Sequence, residues 1–271
     1  MSIKQAEKIE KEKTLSGELP TIGELFKAGA HFGHRKETSD ARSNDFVYTY
    51  RNRVCVIDLE QTKETLSKAL RFLADEAKRG ANFLFVGTKI QAREAVKKTA
   101  ESLKMPYIIE RWPGGLLTNY EIVGKTIKKM KETEKNLSEN KYEHLTKKER
   151  LKIEKDLNKI KIIFGGLGSL EKKPDVIIIV DAKNELIAVR EAQKSSINTV
   201  ALCDTNANPK IIDFPIVAND DSRATIELVL NLIEATIQKN FKSKVEPAKL
   251  TEEDLSKKKA AKKLNDYSSK E

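Results

Sequence analysis

Between Pro174 and Asp181 the chain carries an unbroken run of β-branched residues, Val176–Val180. Branching at Cβ stiffens each residue toward the extended form. A strand with one wet face alternates apolar and polar side chains, so a run with no polar position has to be covered on both sides. That demand is met by a central strand of a parallel sheet with helices above and below it. The flanking segments keep a matching rhythm. Residues 60–79 repeat apolar positions at helical spacing (Leu66, Ala69, Leu70, Leu73, Ala77) and stop at Gly80. Phe83–Val86 reads as a short buried strand, Gly87-Thr88-Lys89 turns it into a helix reaching Leu103, and 107–109 is the next strand. Beyond the central run come a helix at 184–195, a strand at 199–203, a short strand at 215–217 and a helix at 222–239. Strands alternating with helices predict a doubly wound, mostly parallel α/β sheet of the flavodoxin-like kind, with helices on both faces.

A second feature interrupts that rhythm. Residues 118–163 form a long Lys-rich helical pattern between two strands, with polar turn material at Ser138-Glu139-Asn140-Lys141. Thr118-x-x-Glu121 and Thr146-x-x-Glu149 both have capping-box spacing. The first arm offers Ile122, Ile127 and Met130 and the second Leu151, Ile153, Leu157 and Ile160. Stripes that thin can seal only against each other, so a protruding helical hairpin is expected. The domain plan is therefore a charged leader at 1–20, a sheet domain at 21–117 and 164–240, the hairpin at 118–163 inserted in it, and a disordered Lys-rich tail at 241–271.

The net charge of +10 lies in the appendages: residues 125–161 carry +6 and residues 239–271 carry +4, while the remaining body is balanced. A neutral body with cationic extensions suits binding of a polyanion over a wide surface. No window approaches the roughly 18 consecutive apolar residues of a membrane span, and the N-terminus lacks the apolar core of a signal peptide. Cys55 and Cys203 each fall inside an apolar run and read as small buried hydrophobes of a reducing, cytoplasmic protein.

Residues 30–34 read as a tight loop, 35–45 as a polar surface loop, and 46–50 with 54–57 as a β-hairpin carrying arginines at its tip. Arg35, Lys36, Arg42, Arg51 and Arg53 cluster there with Tyr48 and Tyr50 interleaved, a mixture fit for phosphate contact and stacking. Arg111 beside Trp112 in a Pro-Gly loop, Lys89 at a helix start, and Lys125, Lys128 and Lys129 on the first arm complete the candidate RNA-binding set. Asp181 and Asp204 fall at strand ends with Asp220 and Asp221 before the last helix, the edge where open α/β sheets place ligands. They support a rival reading, a metal-dependent enzyme acting on a phosphorylated small molecule through Asp181, Asp204 and Asp221. The plainer reading is that aspartates cap helices and shape turns. Gly87-Thr88-Lys89 lacks the Walker spacing. His31 and His34 have no cysteine pair to complete a zinc site and read as locally bonded imidazoles. No catalytic residue, metal, cofactor or small-molecule substrate is assigned.

Taken together, several motifs resemble the ribosomal protein two family of the bacterial small subunit. They are Gly29-Ala30-His31-Phe32-Gly33-His34, Arg51-Asn52 with Val56-Ile57-Asp58-Leu59-Glu60-Gln61-Thr62, Leu84-Phe85-Val86-Gly87-Thr88-Lys89, Arg111-Trp112-Pro113-Gly114-Gly115-Leu116-Leu117-Thr118-Asn119, Asp204-Thr205-Asn206 and Asn219-Asp220-Asp221. The resemblance implies a sheet domain with a protruding coiled-coil hairpin and no catalysis. It also implies a place on small-subunit ribosomal RNA between head and body, beside neighbouring ribosomal proteins that include the mRNA-capturing protein one. Two departures stand out. Ser39-Asp40-Ala41-Arg42-Ser43 replaces the family's usual Trp-Asn-Pro-Lys-Met, and Ser196 stands where a helix-ending glycine is common.

Overall fold

The computed structural model describes residues 19–142 and 145–245. The charged leader up to residue 18 and the tail from residue 246 lie outside these residues. The chain enters through α1 (Ile22–Lys27), which a capping box starts: Thr21 Oγ1 accepts from Glu24 N–H at 3.2 Å, and the Glu24 carboxylate accepts from Thr21 N–H at 2.7 Å. The expected loop at 30–34 is in part a strand. Phe32–Arg35 (β1) pairs antiparallel with β3 (Val54–Ile57), which also pairs with β2 (Val47–Arg51), in the order β1-β3-β2. Asn52 and Arg53 make the β2–β3 turn with φ of 50° and 65°. Left-handed backbone at two successive residues gives a hairpin turn the twist of its strands.

The main sheet has five parallel strands, β4 (Phe83–Val86), β5 (Tyr107–Ile108), β6 (Val176–Val180), β7 (Asn198–Cys203) and β8 (Phe214–Val217), ordered β5-β4-β6-β7-β8. This is the flavodoxin-like order, with its reversal between β4 and β6. No residue of β6 is more than 3% exposed. Its alternate side chains feed two cores, as the pleat requires. Val176, Ile178 and Val180 face Leu66, Leu73, Val96, Leu230 and Ile233 from α2 (Leu59–Arg79), α3 (Ile90–Leu103) and α7 (Arg223–Val245). Ile177 and Ile179 face Leu116, Leu117, Val189 and Ala192, the last two from α6 (Leu186–Lys194). The last helix continues to Val245, past the expected end at residue 239.

Two helices, α4 (Tyr120–Ser138) and α5 (Lys147–Phe164), occupy the inserted stretch. Only the second starts as expected: Thr146 and Glu149 form a capping box. Thr118 caps nothing, because α4 begins after Asn119 and the Thr118 hydroxyl turns instead toward Glu191. The buried stripe of α4 is Val123, Ile127 and Met130, not the exposed Ile122. In α5 Leu157 is buried and Leu151 exposed. Val123 and Ile127 join the sheet's second core, and farther along an ion pair of 2.6 Å joins Lys161 of α5 to Glu134 of α4. Among the described residues no helix is long and apolar enough to cross a membrane.

Candidate functional site

At the reversal point the parallel strands present their C-terminal ends to a crevice where folds of this order hold ligands. Here it is filled by the chain itself. Lys89 Nζ, from the turn after β4, lies 2.5 Å from Asp221, 2.6 Å from Asp220 and 3.3 Å from Asp181. The side chain of Lys89 is 17% exposed and that of Asp220 fully buried. Burial alone would lower the lysine's pKa, but hydrogen bonds and charge from the aspartates outweigh it and hold the pKa above its ordinary value. Asp220 shows the converse. Burial, reinforced by the charges of Asp181 and Asp204, lifts its carboxyl to about 7 against the pull of Lys89. Thr88 directs both its N–H and its hydroxyl to the buried Glu185, so Gly87-Thr88-Lys89 is no phosphate cradle. Asp181, held at φ 68°, accepts from Asn184 N–H at 2.9 Å, which is the turn-forming role.

His34 completes the cluster. Its Nδ1 stands 2.9 Å from Asp204 Oδ2 and its Nε2 3.5 Å from Asp221 Oδ2, and the bond to Asp204 raises the imidazole pKa despite partial burial. The sequence predicts local bonding; the partners instead come from the far half of the chain. The backbone explains how. His34 N–H donates to Thr205 Oγ1 at 2.9 Å, and a Cβ on Gly33 would sit 2.8 Å from Thr205 Cγ2, so only glycine lets β1 lie so close to the end of β7. Asn219 Nδ2 and Ser222 Oγ donate to the carbonyls of Gly29 and Ala28 and fix the other side. His31 is a different case, stacked on Phe26 with ring centroids 4.3 Å apart. His34, Asp204, Asp220 and Asp221 each bring a donor atom within 4.8 Å of the others, and Asp220 Oδ2 has no hydrogen-bond partner among the described residues. That set has the composition to hold a divalent cation. Two histidines without cysteines do not suggest it, because its acids come from residues 204–221.

The remaining cations face outward. Arg35, Lys36, Arg51 and Arg53 are exposed around β1 and the β2–β3 turn, Lys36 lying 5.1 Å from the centroid of the Tyr50 ring. Arg53 meets Glu37 at 3.7 Å. Arg42 grips Asp40 through Nε (2.8 Å) and Nη2 (2.7 Å). Arg111, Lys125, Lys128 and Lys129 are exposed beside Trp112, Val123 and Ile127, which belong to the second core. Lys89 is the one candidate turned inward.

The loop that carries Arg111 is organised by a residue that sequence reasoning does not single out. The Glu191 carboxylate accepts from Gly115 N–H (2.7 Å), Leu117 N–H (3.1 Å) and Trp112 Nε1 (3.2 Å), with Thr118 N–H and Oγ1 at the margin. Burial pushes this carboxyl up, and the donors more than reverse it, leaving its pKa below the usual value. The available signal is an acid three residues after Ala188, on the apolar face of its helix.

The model of one protein family, Ribosomal protein S2, matches residues 25–240. A protein named small ribosomal subunit protein uS2 from Corynebacterium jeikeium is 39% identical over 227 residues, covering 83% of this chain and 82% of the relative. Its namesake in Corynebacterium kroppenstedtii is 40% identical over 229 residues, covering 84% and 80%. That of Thermus thermophilus is 38% identical over 211 residues, covering 78% and 82%.

Proposed function

The chain belongs to the ribosomal protein S2 family, and from that premise we propose that it binds small-subunit ribosomal RNA through its outward-facing cations and contacts neighbouring ribosomal proteins there. As a member of that family it is a structural component of the small ribosomal subunit and not an enzyme. The observation that carries the RNA reading is the sorting of charge. Asp181, Asp204 and Asp220 are buried in the cluster with Lys89, while Arg35, Lys36, Arg51, Arg53, Arg111, Lys125, Lys128 and Lys129 all face solvent. Exposed cations on three separate segments can meet phosphates over a wide front. In this reading α4 and α5 form a coiled-coil hairpin, the particle is cytoplasmic, and the mRNA-capturing protein one is among the neighbours. The rival enzyme would need the crevice at the sheet reversal for its substrate, and Lys89 with its carboxylates occupies it.

The test is the salt dependence of binding to protein-free small-subunit ribosomal RNA. Log affinity should fall against log salt with a slope of about −3 or steeper, since each neutralised phosphate contributes roughly 0.7–0.9. Affinity independent of salt would refute the reading, as would turnover of a phosphorylated metabolite that Asp221→Asn abolishes.

A further inference from the structure

Residues of three separate segments enclose a concave site of about 310 Å³ on the outer side of α6. Asp40 and Arg42 come from the loop after β1, Lys183 and Arg190 from the start and middle of the α6 region, and Leu186 and Ile211 add apolar surface to its lining. The loop is seated there by its own bonds: Asp40 N–H donates to the Thr205 carbonyl at 2.8 Å, and the Ser43 hydroxyl donates to the same oxygen. Arg42 holds Asp40 through Nε and Nη2, which fixes the guanidinium plane and leaves Nη1 without a partner among the described residues. With Lys183 adding its charge, this pairing keeps the Asp40 carboxyl far below the usual range. Lys183 and Arg190 form no ion pair among the described residues and are exposed.

We propose that this site receives one nucleotide of RNA, its phosphate held by Arg42, Lys183 and Arg190 and its base laid over Leu186 and Ile211. This rests on the RNA reading above and adds a place and two residues, Lys183 and Arg190, to it. Three cations against one acid leave a local surplus of positive charge, and a guanidinium locked by its own carboxylate is preorganised for a second acceptor. A concave lining with apolar side chains beside cationic ones fits a splayed-out nucleotide of a single-stranded loop or bulge, whose base needs a face to lie on. An acidic peptide would use the cations and leave that apolar surface idle.

The experiment uses the full chain and protein-free small-subunit ribosomal RNA, with the double variant Lys183→Gln, Arg190→Gln set against Arg35→Gln, Arg53→Gln. All four positions are exposed, and thermal melting with the single variant Lys183→Gln guards against any loss of fold. The first double variant should flatten the slope of log affinity against log salt by about 0.7–0.9, the share of the one phosphate no longer neutralised, and Arg190→Lys should keep the slope but not the full affinity. If that variant leaves slope and affinity unchanged while the Arg35 and Arg53 variant flattens them, the pocket is overturned and the RNA reading stands. Normal RNA binding with failure to enter small subunits would also overturn it, assigning the site to a protein neighbour. If the parent chain shows no salt-sensitive RNA binding, both readings fall.

Discussion

Glu191 shows how one residue can organise a whole loop. Its carboxylate gathers donors that the turns of Arg111–Thr118 would otherwise leave buried and unpaired. Glu191→Ala should lower stability by about 2–3 kcal/mol, read by denaturant titration, because several buried donors lose an ionised acceptor together. A loss under about 0.5 kcal/mol would mean water replaces it freely. Ser196 is the opposite kind of residue, exposed and held at φ 53° where glycine is unstrained. Ser196→Gly should therefore stabilise by a few tenths to about 1 kcal/mol, the relief of strain exceeding the added freedom of the unfolded chain. Asp220 and His34 make a pH prediction. Both folded pKa values lie above the ordinary ones, so both contribute stability that is fully present below the unfolded values, 3.8 and 6.5, and is lost as pH rises through the folded ones. For Asp220 that window runs from 3.8 to about 7. With a chelator present, the melting temperature of the parent chain relative to that of Asp220→Asn should fall as pH rises through this window; a constant difference would remove Asp220 as a source of pH dependence.

At the scale of elements, local signals suffice where one residue type decides. Gly80 ends α2 with φ 78°, and the Thr146 to Glu149 spacing does start α5. The same spacing at Thr118 misleads, because a hydroxyl chooses between a helix amide and a tertiary acceptor, and Glu191 is invisible from residue 118. β1 escapes for a related reason: Phe32–Arg35 is too short and too polar to announce a strand, and its extension depends on β3 and on the close approach of Gly33 to Thr205. For α4, changing Lys125, Lys128, Lys129 and Lys131 to Gln keeps helix propensity nearly constant. If these ammonium groups meet phosphates, the salt slope of RNA binding should flatten by about 0.7–0.9 for each phosphate no longer neutralised. If slope and affinity hold, the arm is a solvated face and the Arg35–Arg53 region carries the binding.

At the scale of the molecule, the doubly wound sheet is legible from one strand, because Val176–Val180 allows no wet face and the βα rhythm supplies the covering helices. The cluster around Lys89 is legible only as scattered aspartates. Parallel topology brings residues 89, 181, 204 and 220 to one edge, and nothing in local spacing states which acids will close on which base. The central claim is that this chain is a structural part of the small ribosomal subunit. Sedimentation of lysate from the source cells through a sucrose gradient, with this chain followed by immunoblot, tests it most directly. The chain should travel with small subunits and with whole ribosomes at low salt and stay at the top of the gradient once RNase has destroyed the particles. Finding it at the top without RNase, as free protein, would contradict the account.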